Sequence, residues 1–171
     1  MSYGVVRTDN MYGVDVRAGL VSIEYLGTDG ETPTAIENGN VLKVGALKEG
    51  EREIFVGAKP AVNTPLNEIV LVASPEIMYD ERKHGLDEFI NEAGMPARGY
   101  RLHSWDIFSV TADALSAAAD IAVGDVVELQ ADTKLKVVAS ATGLTDGSTL
   151  VGEVIAIDVV GPYTYYAIRV A

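Results

Sequence analysis

The chain echoes itself at an offset of about 85 residues, and this echo constrains the fold more than any other feature. Ala35-Ile36-Glu37-Asn38-Gly39-Asn40-Val41-Leu42-Lys43-Val44 aligns with Asp120-Ile121-Ala122-Val123-Gly124-Asp125-Val126-Val127-Glu128-Leu129. At the same offset Glu68-Ile69-Val70-Leu71-Val72 aligns with Glu153-Val154-Ile155-Ala156-Ile157. Each half reads as an isoleucine, a turn glycine, an amide or acid and a strand, with a second strong strand after a variable middle. The echo predicts two related β-modules. Few of the aligned residues are identical, and Gly-Asx before aliphatic residues is a common opening from turn to strand, so two unrelated strand starts would look similar.

Local patterns support a chain that is mainly β with a few short helices. Val21, Ile23 and Tyr25 alternate with Ser22 and Glu24, the period-2 signature of a half-buried strand. Further strands are expected at Val41–Val44, Glu53–Val56, Ile69–Ala73, Asp106–Val110, Val126–Leu129, Leu135–Ala139, Val151–Ile157 and Tyr163–Val170. Turns separate them at Asp29-Gly30, Asn38-Gly39, Asp146-Gly147 and Gly161-Pro162. Leu86, Phe89, Ile90 and Ala93 fall on one helical face, with Gly94 placed to cap the helix and Pro96 to stop it. Ser74-Pro75 suits a helix start, and Thr111 suits the cap of a short alanine-rich helix over 112–118. The expected organisation is an extended N-terminal arm over 1–20, a first β-rich module over 21–98 ending in the short helix, and a second over 99–171. Each module is expected to be a small barrel or sandwich.

Composition excludes several functions. With 171 residues and 48% hydrophobic content, the chain can bury a sizeable core. Cysteine is absent, which removes disulfides and thiol chemistry. The net charge is −12 and both halves are acidic, so neither nucleic acid nor an anionic membrane is an expected partner. The opening Met1-Ser2-Tyr3-Gly4 lacks a signal-peptide pattern, and no apolar run reaches the ~18 residues that span a bilayer. These features predict synthesis in a cytoplasm.

No constellation for chemistry stands out. His84 and His103 lie on different segments, and His84 with Asp87 and Glu88 lacks an evident further ligand to complete a metal site. His103-Ser104 are adjacent, and strand neighbours point to opposite faces. No Gly-x-Ser-x-Gly, Gly-x-Gly-x-x-Gly or Walker-type loop occurs, and Asp29-Gly30-Glu31 and Asp146-Gly147-Ser148 miss the calcium-loop spacing. The reading is a non-enzyme without cofactor or metal.

Aromatic residues are more informative. In Tyr163-Thr164-Tyr165-Tyr166-Ala167-Ile168-Arg169-Val170, alternation puts Tyr166, Ile168 and Val170 on one face and Tyr163, Tyr165 and Arg169 on the other. Tyrosine and arginine are enriched where partners bind, although such tyrosines also pack under loops. Trp105 suits either a junction between the halves or a partner anchor. The first 20 residues carry Tyr3, Val5, Val6, Met11, Tyr12 and Val14, too apolar a set for a simple linker. Tyr3, Val5, Tyr12, Tyr163, Tyr165 and Arg169 are therefore the candidate partner-binding residues. The arm either orders on a partner or pairs as an edge strand of its own domain.

Several stretches resemble proteins of tailed bacteriophage heads. They are the opening Met1-Ser2-Tyr3-Gly4-Val5-Val6-Arg7-Thr8-Asp9, then Tyr79-Asp80-Glu81-Arg82-Lys83, Asn91-Glu92-Ala93-Gly94 and Arg98-Gly99-Tyr100. Val123-Gly124-Asp125-Val126-Val127-Glu128-Leu129 through Val151-Gly152-Glu153-Val154-Ile155 is similar to small capsid decoration (cement, or auxiliary head) proteins. The resemblance implies a structural virion protein on the outer capsid surface, with the major capsid protein as partner and self-association on the capsid. It carries no catalytic motif. Two alternatives stay open: another head or tail assembly component, and a module that binds carbohydrate or a host surface.

Overall fold

The computed structural model describes residues 2–7, 19–80, 82–83, 85–117 and 120–171. It is an all-β architecture of two mixed sheets with short 3-10 turns. The first sheet comprises β1 (Leu20–Tyr25), β2 (Val41–Leu47), β3 (Ile54–Ala58), β4 (Ile69–Val72) and β5 (Ala97–Arg101). Its order is β1-β3-β2-β4-β5, and it curls until β5 pairs with β1, closing a barrel. The second comprises β6 (Ile107–Thr111), β7 (Leu115–Ala117), β8 (Val126–Glu128), β9 (Leu135–Val138), β10 (Leu150–Val160) and β11 (Tyr163–Val170). Its order is β6-β11-β10-β8-β9-β7. β5 straddles the module boundary expected at 98/99 and pairs within the first sheet, so the change of sheet falls at 102–106.

The strand order of the first sheet recurs in the second as β7-β9-β8-β10-β11. β1 pairs parallel with β3, and β7 pairs parallel with β9. All other neighbours along both paths are antiparallel. β1 also makes the closing contact with β5 through Leu20–Ile23. The corresponding contact with β11 is made by β6, which a single 3-10 turn over Ala112–Ala114 joins to β7. β6 and β7 together thus do what β1 does alone.

The echo is visible in individual hydrogen bonds. Gly39 and Gly124 both have left-handed φ, 85° and 92°, a conformation that carries little penalty for glycine. The Gly39 N–H donates to the Val72 carbonyl at 2.8 Å, and the Val72 N–H donates to the Asn40 carbonyl at 2.8 Å. The Gly124 N–H donates to the Val154 carbonyl at 2.8 Å, and the Val154 N–H donates to the Asp125 carbonyl at 2.9 Å. Val154 is therefore the counterpart of Val72. The second aligned block is corrected accordingly: it sits three residues out of register, because cross-strand bonding sets the pairing and the intervening loops differ in length.

Two hydrophobic cores hold the molecule. Ile23, Tyr25, Ile36, Leu42, Val70, Val72 and Ala97 fill the first barrel. The larger core joins the opposite side of β2 and β4, through Val41, Ile69 and Leu71, to Phe108, Val110, Leu115, Val127, Leu129, Leu135, Val151, Val154 and Ile168 of the second sheet. Full burial of each such side chain contributes about 1.5–3 kcal/mol relative to exposure. The two sheets thus share one apolar interior.

The expected helices are corrected. Leu86–Glu88 forms one 3-10 turn, and Phe89 is already extended at ψ 136°. Asn91 bridges Ile36, with N–H to carbonyl bonds of 3.0 Å in both directions, and its side chain also donates to the Ile36 carbonyl at 3.0 Å. This long-range pairing replaces the local helical bonds, and Gly94 (φ 80°) serves a turn. Ser74-Pro75 opens no helix. Thr111 stands at the N-cap of only one 3-10 turn, Ala112–Ala114, and makes no side-chain cap bond: its hydroxyl accepts from the Val5 N–H at 3.1 Å, and after Ala114 the chain enters β7.

Within the expected arm, residues 3–7 lie along β6. Val6 bridges Val110, the Thr111 N–H donates to the Val5 carbonyl at 3.0 Å, and the Arg7 N–H donates to the Ser109 carbonyl at 2.9 Å. Val5 and Val6 are buried. Of the two readings of this segment, the pairing is that of an edge strand; Met11, Tyr12 and Val14 lie outside the described residues.

Candidate functional site

The face of β11 follows the expected alternation: Ile168 and Val170 are in the core and Tyr166 packs against it. The opposite face is not an open tyrosine surface. Tyr165 is buried beneath Arg7, whose guanidinium carbon lies 5.7 Å from the ring centroid. The ring of Tyr163 meets it edge-on at 6.2 Å and 60°. The Tyr163 hydroxyl donates to Asp87 Oδ1 at 2.8 Å, and partial burial together with this bond raises the tyrosine pKa. The Tyr3 N–H donates to the Asp87 carbonyl at 3.1 Å. Tyr3, Val5, Tyr163 and Tyr165, four of the candidate partner-binding residues, thus serve to fasten the N-terminal segment and the Asp87 turn to β6 and β11. Alternation along β11 could not reveal this, because the covering residues come from the far end of the chain. Tyr12 and His84 lie outside the described residues.

Arg169 stands apart from that cluster and supports Trp105, the one tryptophan of the chain. Trp105 is 71% exposed and has φ 73°, a left-handed conformation that costs a non-glycine residue about 1–2 kcal/mol. Its N–H donates to the Val170 carbonyl at 3.0 Å, and the Val170 N–H donates to the Asp106 carbonyl at 2.9 Å. The buried Asp106 carboxylate accepts from the His103 N–H at 3.0 Å, which locks the turn. The Arg169 guanidinium carbon is 5.1 Å from the Trp105 ring centroid, within cation–π range, and its Nη2 is 3.5 Å from Glu153 Oε2. β10, β11 and the 103–106 turn thereby hold an indole outward.

Arg169 also lines a cleft of about 400 Å³, together with Val126, Leu150, Gly152 and Glu153 among others. Leu150 and Val123 add exposed aliphatic surface nearby in sequence and sheet. Such a surface can bind by stacking and apolar burial, with Arg169 and Glu153 giving direction. Trp105 and Arg169 were visible in the sequence as separate candidates; their pairing depends on the turn that reverses the chain before β6. Leu150 carried no motif, and Val123 and Glu153 stood out only as members of the echo and of the decoration-like stretches.

A second cleft, of about 350 Å³, lies within the long β4–β5 connection and is lined by Ile77, Met78, Phe89, Ile90 and Met95. Among the described residues, no group of three or more His, Asp or Glu side chains is placed to hold a metal ion. Among the described residues no helix is long and apolar enough to cross a membrane. No protein-family model and no curated protein matches the chain.

Proposed function

We propose that this chain is a structural virion protein that binds the outer surface of an assembled phage capsid and stabilises the shell. The observation that carries the reading is Trp105: a large aromatic side chain held outward at a strained backbone position, stacked by Arg169, on a rigid two-sheet body. Strain of this kind persists where surrounding structure enforces it, and it concentrates at binding and switch sites. Tryptophan and arginine are also the residue types that dominate binding energy at protein interfaces. The resemblance of the opening to phage head proteins, and of the Val123–Ile155 region to head decoration proteins, supplies the partner, the major capsid protein. The net charge of −12 adds a preference for a docking surface that is not itself acidic.

The test is cosedimentation of purified chain with assembled heads of the phage that encodes it, followed by electron microscopy of labelled chain. Label over the whole head, with binding lost in Trp105→Ala while the fold is retained, is the expected result. Label at the tail or at one vertex would replace this reading with a joining component. Trp105 beside Glu153 and Arg169 would also suit a sugar ring, so saturable glycan-array binding without head binding would favour the carbohydrate reading.

A further inference from the structure

Among the described residues, the outer edge of β10 is left open at the place where the matching edge of the first barrel is plugged. Just past Val72, the Asn38 side chain bonds the chain as a neighbouring strand would. The Ser74 N–H donates to Asn38 Oδ1 at 2.9 Å, and Asn38 Nδ2 donates to the Ser74 carbonyl at 2.8 Å. Asn38 precedes Gly39 as Val123 precedes Gly124, and the paired bonds to Val72 and Val154 make these turns equivalent. Val123 has neither a side-chain donor nor an acceptor, and it is exposed. β8 covers β10 only as far as Glu153, and bonds from the 124–125 turn end at Val154. From Ile155 to Val160, every backbone hydrogen-bond partner among the described residues lies on β11.

We infer that this open edge of β10 is a strand-addition site, filled by an extended segment of the capsid partner with apolar side chains and a basic residue facing Asp158. The choice of partner rests on the capsid-binding reading. Native sheets protect long edges with charged residues, proline, bulges or a covering element; beyond the irregularity at Val154/Ala156, Asp158 is the one such device on the open stretch of β10. Leu150–Val160 contains neither lysine nor proline, and Val159 is 75% exposed, with Ile157 and Val160 also exposed. An added strand would satisfy the free backbone groups and cover these side chains, the recognition mode in which main-chain bonds give affinity and alternate side chains give specificity. Charge selects the occupant. Asp158 is exposed and has no ion-pair partner among the described residues. A two-fold pairing with a second copy centred on Asp158 would set two carboxylates face to face, between chains of net charge −12. A lysine or arginine in a partner strand meets the same carboxylate favourably.

The probe is a synthetic ten-residue peptide of alternating valine and threonine with one central lysine, titrated into the intact chain and followed by backbone amide NMR. Shifts confined to Ile155–Val160 and Val123 are expected. Val123→Asn installs the plug that Asn38 provides, worth about 1 kcal/mol for a net hydrogen bond, and should weaken peptide binding about fivefold. Replacing the peptide lysine by glutamate should weaken it about threefold, and a central proline should abolish it. Shifts located elsewhere, or affinity unaffected by Val123→Asn, would overturn the site. A concentration-dependent dimer that shifts the same amides without peptide would assign the edge to a second copy. Cosedimentation with heads separates the two proposals. If wild-type chain fails to bind heads, the capsid reading falls while the peptide result still judges the edge. If Val123→Asn blocks the peptide yet binds heads normally, the partner strand does not come from the capsid.

Discussion

The two modules share a strand order and differ in how they fill and finish it. One packing pair shows the difference. Val72 pairs with Gly99 and Val154 with Ile168, so Gly99 and Ile168 are counterparts, as are Val70 and Gly152 two pairs earlier in the register. The first barrel uses a large residue at 70 and none at 99; the second uses none at 152 and a large one at 168. A Cβ on Gly99 would lie 3.0 Å from Val70 Cγ2, and one on Gly152 would lie 3.2 Å from Ile168 Cγ2 and 2.2 Å from the Arg169 carbonyl oxygen. The same volume has been divided in opposite ways. The connection that follows differs as well: 24 residues (73–96) between β4 and β5, against the Gly161-Pro162 turn between β10 and β11. The long connection brings Asn91 to Ile36 and supports Asn38, whose Oδ1 accepts from Asn91 Nδ2 at 3.1 Å. The short turn lets β10 run on with a free edge.

The sharpest way to break this comparison is to put volume on the wrong side. Gly152→Val collides with backbone and should cost about 3 kcal/mol or more, read as a lower urea midpoint; Gly99→Ile should cost about 1–3 kcal/mol, because it meets a side chain. In the first barrel, Val70→Gly combined with Gly99→Ile should recover part of the loss of Gly99→Ile alone. No recovery would mean the two positions do not share one space.

Next in size are the buried acids. Glu128 is bonded by Lys136 Nζ at 2.7 Å and by the Thr145 N–H and hydroxyl at 2.7 and 2.6 Å. Glu24 pairs with Lys48, and its other carboxylate oxygen has no partner. Glu128→Ala should therefore cost about 3 kcal/mol and Glu24→Ala about 1 kcal/mol by chemical denaturation. Burial pushes the Glu128 pKa up, but the bonds from Lys136 and Thr145 outweigh it and hold the value below the ordinary 4.5. A lowered folded pKa contributes stability that is complete above the unfolded value and is lost as pH falls through the folded one. Melting temperature should fall as pH drops below about 4.5, and Glu128→Gln should flatten that fall.

Smaller effects separate the edges. Asn38→Ala leaves the Ser74 backbone without its side-chain partner and should cost about 2 kcal/mol. Val123→Asn should leave melting unchanged or raise it slightly. Trp105→Gly relieves the left-handed strain while losing the Arg169 stack, so stability should stay within about 1 kcal/mol while head binding is lost. A Trp105→Gly protein that unfolds would place the indole in the fold instead of at an interface.

Much of the fold was legible in the sequence because strand and turn signals are local. Tyr163–Val170 was read with its full bounds, and Asn38-Gly39 and its echo proved to be equivalent turns. Register, by contrast, depends on bonds between distant strands, which is why Val154 and not Ile157 answers to Val72. The pattern Leu86, Phe89, Ile90, Ala93 has helical spacing, yet Asn91 finds its partners at Ile36, and Phe89 and Ile90 line a cleft. β5 was missed because Ala97-Arg98-Gly99-Tyr100-Arg101 has little β-propensity; closure of the barrel makes it a strand. At the candidate site, sequence pointed to Arg169 and left Trp105 ambiguous, and nothing local could show that residues 3–7 cover Tyr165.

Amide hydrogen exchange of the free chain and of the head-bound chain tests the contrast between a plugged and an open edge most directly. The account predicts that Ser74 exchanges slowly in both states. It predicts that the outward-facing amides within Ile155–Val160 exchange rapidly in the free chain and become protected on heads. Slow exchange along all of Ile155–Val160 in the free chain, or rapid exchange that head binding leaves unchanged, would contradict it.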